Sequence, residues 1–160
     1  MSEKPSESER PSEGPAVDTR SMVVDTLARY LALCDVPVRT EGELGDLFTE
    51  DAVWEGGGSE YAEKFGRTEG REAIVEMLSA HLPPTPHFRT NVHLLFPGTV
   101  DVKGVTARGS WPMQQLSRYE SGAAEVIVAK LDVTFRIGPD RPRISAFRTE
   151  RLFSAPLAGE

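Results

Sequence analysis

Cysteine is almost missing from this chain: Cys34 is the only one in 160 residues. It has no partner for an intramolecular disulfide and cannot build a thiolate zinc site by itself. A reducing, cytoplasmic compartment is the expected home. Positive charge is also in short supply, with 18 Lys and Arg against 25 Asp and Glu and a net charge of −7. That negative charge is spread along the sequence and repels phosphate backbones, so no nucleic-acid partner is expected. No apolar run approaches the roughly 18 residues needed to span a bilayer. The acidic, hydrophilic start lacks the apolar core of a secretory signal, so no membrane partner is expected either. Also absent are the phosphate loop, the dinucleotide fingerprint, the His-Glu-x-x-His zinc helix and the serine-hydrolase elbow. What remains is chemistry done by side chains alone, with no metal and no cofactor, or no chemistry.

Residues 1–16 are nearly all Ser, Glu, Pro and Lys or Arg. They offer nothing to bury, so the sequence predicts a disordered tail followed by a single domain over 17–156. Val23, Leu27, Tyr30, Leu31 and Cys34 recur at spacings of three and four and predict a first helix, stopped by Pro37. Thr40 to Glu43 fits a capping box and predicts a short second helix carrying Leu44, Leu47 and Phe48. A brief strand over 52–55 ends at three glycines, and a loop with Tyr61 and Phe65 follows. A third helix is expected from Glu69 to His81. Beyond it the chain reads as four strands, 86–98, 104–119, 123–138 and 142–154, separated by Gly- and Pro-containing turns. Helices first and long antiparallel strands afterwards predict an α+β domain, with helices on one face of a curved sheet.

Few residues could carry chemistry. His81 falls in the last turn of a helix, where a cation answers the helix dipole, and is expected to be a structural cap. His87, Arg89, Asn91 and His93 alternate with Phe88, Thr90, Val92 and Leu94 along one strand. On pattern alone the first set faces solvent and the apolar members of the second face the core. Tyr30 lies within the apolar stripe of the first helix. Asp35 ends that helix with the wrong charge for its dipole, which calls for a partner or a task. Arg151 shares a strand face with Phe147 and Phe153, so it is either paired with a buried carboxylate or aimed at an anionic ligand.

Four segments taken together resemble a known superfamily. They are Arg29 to Asp35, Leu47 to Trp54, Gly70 to Ile74, and His87 to Asn91. In that order and spacing they are similar to the cone-shaped α+β proteins that include nuclear transport factor, scytalone dehydratase and SnoaL-like polyketide cyclases. The motifs come closest to bile-acid dehydratase-like members. The resemblance covers about residues 20–154 and implies three N-terminal helices on a strongly curved, mainly antiparallel sheet. It also implies that Tyr30, Asp35 and His87 are catalytic, and that Arg151, Asn91, Trp54 and Trp111 bind substrate. It reverses the strand reading, turning His87 and Asn91 into the cavity and Phe88, Val92 and Leu94 outward. Two departures stand out: Pro142-Arg143-Ile144 replaces the usual tryptophan-led opening of the last strand, and Pro112 follows Trp111, implying a bulge or an edge.

The expected activity is therefore cofactor-independent dehydration, isomerisation or cyclisation of a largely apolar small molecule, such as a polyketide or terpenoid intermediate. His87, oriented by Asp35, would be the base, Tyr30 would donate to a developing enolate oxygen, and Arg151 would hold an anionic group. A homodimer through the outer sheet face would cover the outward apolar side chains. The rival expectation is a non-catalytic binding or docking protein that uses the same pocket.

Overall fold

The computed structural model describes residues 18–83 and 88–158. The N-terminal tail expected over 1–16 and the candidate base His87 lie outside the described residues. Asp18 caps helix α1 (Thr19–Asp35), its carboxylate accepting the Arg20 N–H at 3.4 Å. Val23, Leu27, Tyr30, Leu31 and Cys34 are buried along one stripe, as their spacing predicts.

The expected second helix is only a 3-10 turn, Gly45–Leu47. Half of its capping box forms, since the Glu43 carboxylate accepts the Thr40 N–H at 3.2 Å. Propagation stops because Phe48 is drawn into strand β1 (Phe48–Gly57), fully buried and paired with Ile144. The middle helix lies later instead: α2 (Gly58–Phe65) occupies the expected loop. At Gly56 an added Cβ would come within 2.0 Å of the Tyr61 carbonyl oxygen, so the chain can fold back there only without a side chain. Strand β2 (Arg67–Glu69) pairs antiparallel with β1, and α3 (Arg71–His81) follows. The Arg71 guanidinium donates twice to the Phe48 carbonyl, at 3.0 and 2.7 Å, tying the start of α3 to the start of β1.

The rest is sheet: β3 (Phe88–Leu95), β4 (Thr99–Lys103), β5 (Thr106–Tyr119), β6 (Ala124–Ile137) and β7 (Pro142–Leu157). The strand order is β2-β1-β7-β6-β5-β3, with β4 also on β5. Among the described strands, only the β1–β7 pairing is parallel. The three helices pack against this sheet, which is the α+β architecture expected. β6 alternates as read, with Leu131, Val133 and Phe135 buried between Lys130, Asp132, Thr134 and Arg136. Pro112 is not on an edge strand. It sits in β5 between the stretch paired with β4 (Thr106 to Ser110) and the stretch paired with β3 (Met113 to Tyr119), where its missing N–H leaves no gap in either ladder.

Two of the register shifts decide which side chains face the cavity. Arg89 is an extra residue in β3, because Phe88 pairs with Tyr119 but Thr90 already pairs with Arg118. Leu152 is an extra residue in β7, because Phe153 pairs with Val128 and Arg151 with Ala129. An extra residue switches the face of everything beyond it. The register then lines up inward-facing rows across the sheet: Asn91–Ser117–Glu125, His93–Gln115–Ile127, Met113–Ala129–Arg151 and Trp111–Leu131–Thr149. The first two rows are rich in polar groups, and the inner face becomes apolar toward Trp111 and Leu131.

Candidate active site

The helices and the inner face of the sheet enclose a cavity with an empty volume of about 900 Å³, its open mouth included. One wall is aromatic. Trp54 stacks on Phe147, with centroids 5.4 Å apart and planes at 15°, and meets Phe65 edge-on at 5.2 Å. Tyr30 from α1 leans on Phe147 at 4.9 Å. Its hydroxyl accepts the Trp54 indole N–H at 3.1 Å, keeping its own hydrogen to donate. Burial, reinforced by the neighbouring Cys34, pushes the Tyr30 hydroxyl well above the usual phenol range, so it stays protonated. The Cys34 thiol is likewise pushed up to about 12, by burial first, which makes it a poor nucleophile.

Asp35 has the partner its position calls for, and that partner is His93. Asp35 Oδ2 accepts the His93 backbone N–H at 3.0 Å, and Oδ1 lies 2.5 Å from His93 Nδ1. An ionised carboxylate only accepts, so Nδ1 carries the hydrogen, and in the neutral imidazole Nε2 keeps the lone pair. His93 lines the cavity and Asp35 stands behind it. The contact expected between Asp35 and His87 stands outside the described residues, because His87 does; the histidine seen on Asp35 is His93.

Of the other expected residues, Trp54, Asn91 and Arg151 line the cavity with Tyr30, and Trp111 does not. Trp111 is 2% exposed and packs edge-on to Phe135 in the core, with Gly98 and Gly109 against its ring. Phe88 was expected on the outer face, but the β3 bulge turns it into the cavity, where it stacks on Tyr119 at 5.2 Å. Phe153 does not share the face of Arg151, because the β7 bulge leaves it 57% exposed. Arg151 Nε lies 3.2 Å from the Glu60 carboxylate and its Nη2 donates to Ser154, so its charge is already answered. His81 ends α3 as expected but turns its ring edge to Phe65 at the cavity wall. Burial, and then Lys64, holds it below the usual imidazole range.

Gln115, Tyr119 and Glu125 line the cavity and escaped sequence reading, as did Ser117, which is buried behind them on hydrogen bonds to Asn91 and Gln115. Their signal was present, since Gln115, Ser117 and Tyr119 recur every second residue on the inward face of β5. The Tyr119 hydroxyl donates to Glu125 Oε1 at 2.5 Å. Burial first, and Glu125 second, push that hydroxyl up to about 12. Among the described residues, no three His, Cys, Asp or Glu side chains gather as a metal site would require, and no helix is long and apolar enough to cross a membrane.

Comparison with known proteins places this geometry in a family. No curated protein matches the chain by sequence. Among solved structures, LinA-type3 hexachlorocyclohexane dehydrochlorinase from Novosphingobium barchaimii LL02 superposes with a TM-score of 0.70 at 19% identity, over 88% of this chain and 91% of that one. A scytalone dehydratase-like protein from Novosphingobium aromaticivorans gives 0.71 at 14% identity, over 88% and 89%. An NTF2-like protein with a cystatin-like fold from the same species gives 0.63 at 25% identity, over 84% and 82%. These likenesses bear out the cone-shaped fold implied by the motifs, without singling out the bile-acid dehydratase branch. The SnoaL-like domain family matches residues 15–148, and the chain belongs to that family.

Proposed function

We propose that this protein is a cofactor-independent enzyme that moves a proton on a largely apolar small molecule, in a dehydration, isomerisation or cyclisation. The observation that carries the reading is the Asp35–His93 pair at the cavity wall. Asp35 fixes the imidazole in one tautomer, so His93 Nε2 takes a proton from a carbon next to a carbonyl. The electron pair left behind moves onto the carbonyl oxygen, which needs a hydrogen-bond donor, and the Tyr30 hydroxyl is one candidate. Returning the proton elsewhere gives isomerisation, and loss of a β-hydroxyl as water gives dehydration. The aromatic wall of Trp54, Phe65 and Phe147 suits a polyketide- or terpenoid-like body. Arg151, neutralised by Glu60, is less suited to an anionic substrate than its sequence position suggested. The dehydrochlorinase and dehydratase neighbours are consistent with cofactor-free elimination in such a cone.

Proton NMR in deuterium oxide, with a panel of bicyclic ketones and β-hydroxy ketones, tests this directly. Enzyme-dependent loss of an α-CH signal, or appearance of an unsaturated product, is expected for at least one member. Tight binding without exchange across the panel would hand the site to a non-catalytic binding protein.

The outer face of the sheet bears on assembly. Val92, Leu94 and Phe153 are 36%, 40% and 57% exposed there. They continue across half-buried Leu116, Val126 and Val128 on the paired strands. We propose that a second copy covers this face in a cytoplasmic homodimer. Light scattering at tens of micromolar should give twice the chain mass, and Leu94→Glu with Phe153→Glu should halve it. A monomeric parent protein would sink the dimer.

A further inference from the structure

The least explained polar group in the cavity is the side-chain amide of Asn91. The residue is 5% exposed and sits two positions before His93 on the same face of β3. Its Oδ1 accepts from Gln115 Nε2 and from the Ser117 hydroxyl, both at 2.8 Å. Gln115 Nε2 also reaches the Ser117 hydroxyl oxygen at 3.2 Å. Two donors fill the lone pairs of a carbonyl oxygen, so with the Gln115 amide nitrogen turned to Asn91 the amide gives its oxygen to this network and keeps its nitrogen out of it. Nδ2 is enclosed and has no hydrogen-bond partner among the described residues. Arg39 Nη2 and Thr49 Oγ1 share that condition, but neither residue lines the cavity. A buried donor held in a single orientation and left unpaired is unfavourable unless a ligand completes it.

We infer that Asn91 Nδ2 donates to the carbonyl oxygen of the substrate, and that the substrate class is a neutral ketone rather than an oxygen-free or carboxylate compound. The placing of the acidic carbon rests on the proton-transfer reading above, whereas the donor itself is a matter of binding. Residues two apart on a strand face stand roughly 7 Å apart. A carbonyl oxygen is two bonds from its α-carbon, so with contacts of roughly 3 Å at each end one ketone spans Asn91 and His93. When His93 removes the α-proton, the C–H electron pair becomes the enolate double bond and the carbonyl π pair moves to oxygen, against Nδ2. The groups fixing the amide, Gln115 and Ser117, are neutral. Of the cations at the cavity, Arg151 is paired with Glu60 and Lys64 lies over the Phe65 ring at 5.1 Å. That environment favours a neutral oxygen acceptor over a carboxylate.

The test compares 1-tetralone with tetralin, which differ only by the carbonyl, by titration of the full chain. Wild type should prefer the ketone. Asn91→Asp keeps an oxygen for Gln115 and Ser117 but replaces the free donor with an acceptor. It should lose about tenfold to a hundredfold in ketone affinity while holding tetralin unchanged. The infrared carbonyl stretch of bound tetralone should lie lower in wild type than in Asn91→Asp. Equal affinity of wild type for the two ligands, failure to hold either, or an equal loss of both in the variant would overturn the assignment. His93→Ala should keep the ketone preference while losing exchange, so failure of the base and failure of the donor give different results.

Discussion

His93→Ala is expected to lose on the order of 10²-fold or more in turnover, with melting still cooperative. A positioned base contributes about 10²–10⁴ in rate, and no second described group touches Asp35 as His93 does. Asp35→Asn should fall on the order of 10²-fold as well. An amide in place of the carboxylate can donate to Nδ1, which moves the hydrogen to Nε2 and removes the lone pair that takes the substrate proton. Both losses should appear in kcat more than in KM, because neither group is needed to hold an apolar substrate. His87→Ala is the decisive companion. Loss confined to His93 and Asp35 fixes His93 as the base. Loss confined to His87, with His93→Ala near wild type, would return that role to the histidine that the motif resemblance singled out. Steady-state rates on the ketone that exchanges in deuterium oxide make the comparison.

Why the sequence pointed to one histidine and the structure shows another on Asp35 has a physical answer. Strand alternation is a parity rule, and a single bulge breaks it without leaving a mark in composition. The α1 stripe and the alternation of β6 were legible because long regular elements repeat their period several times. Asp35 was legible too, since a carboxylate at the C-terminal end of a helix is a local electrostatic oddity that needs no partner to be noticed. Its partner was not, because alternation gives His87 and His93 the same face. Which of them meets Asp35 depends on where α1 packs along β3, a long-range contact that leaves no local mark. The bulge at Arg89 hid only the facing of Phe88. The bulge at Leu152 likewise separates Phe153 from Arg151, whose shared face had suggested an anion site. Helix α2 reads as loop in the sequence because Tyr61 and Phe65 are its only apolar pair four apart, and three glycines precede them. The 3-10 turn shows the opposite error: its capping box is present, but burying Phe48 in the sheet outweighs extending one short helix.

Trp111→Ala should destabilise the fold by about 3–5 kcal/mol, the range for removing a fully buried aromatic side chain. For a domain of this size that lowers the melting temperature by on the order of ten degrees. The ring is held from several sides. Phe135 meets it edge-on at 6.3 Å, and two glycine backbones close on it. A Cβ on Gly109 would come within 2.1 Å of Trp111 Cη2, and one on Gly98 within 2.4 Å of Cδ1. Gly109→Ala should therefore be destabilising in the wild-type background, because the indole has no room to retreat in a close-packed core. In the Trp111→Ala background the same substitution should cost much less, since the vacated space accepts the methyl. The two changes are then coupled in a double-mutant cycle, whereas Trp111→Ala and a distant surface change are additive. Ligand affinity separates the two tryptophans. Trp111→Ala should bind the cavity ligand nearly as wild type at temperatures where it is folded. Trp54→Ala, which strips the cavity wall and the indole donor to Tyr30, should weaken it severalfold or more. Lost affinity without lost stability in Trp111→Ala would show that Trp111 reaches the ligand after all, and that the substrate extends past Leu131 into what this structure presents as solid core.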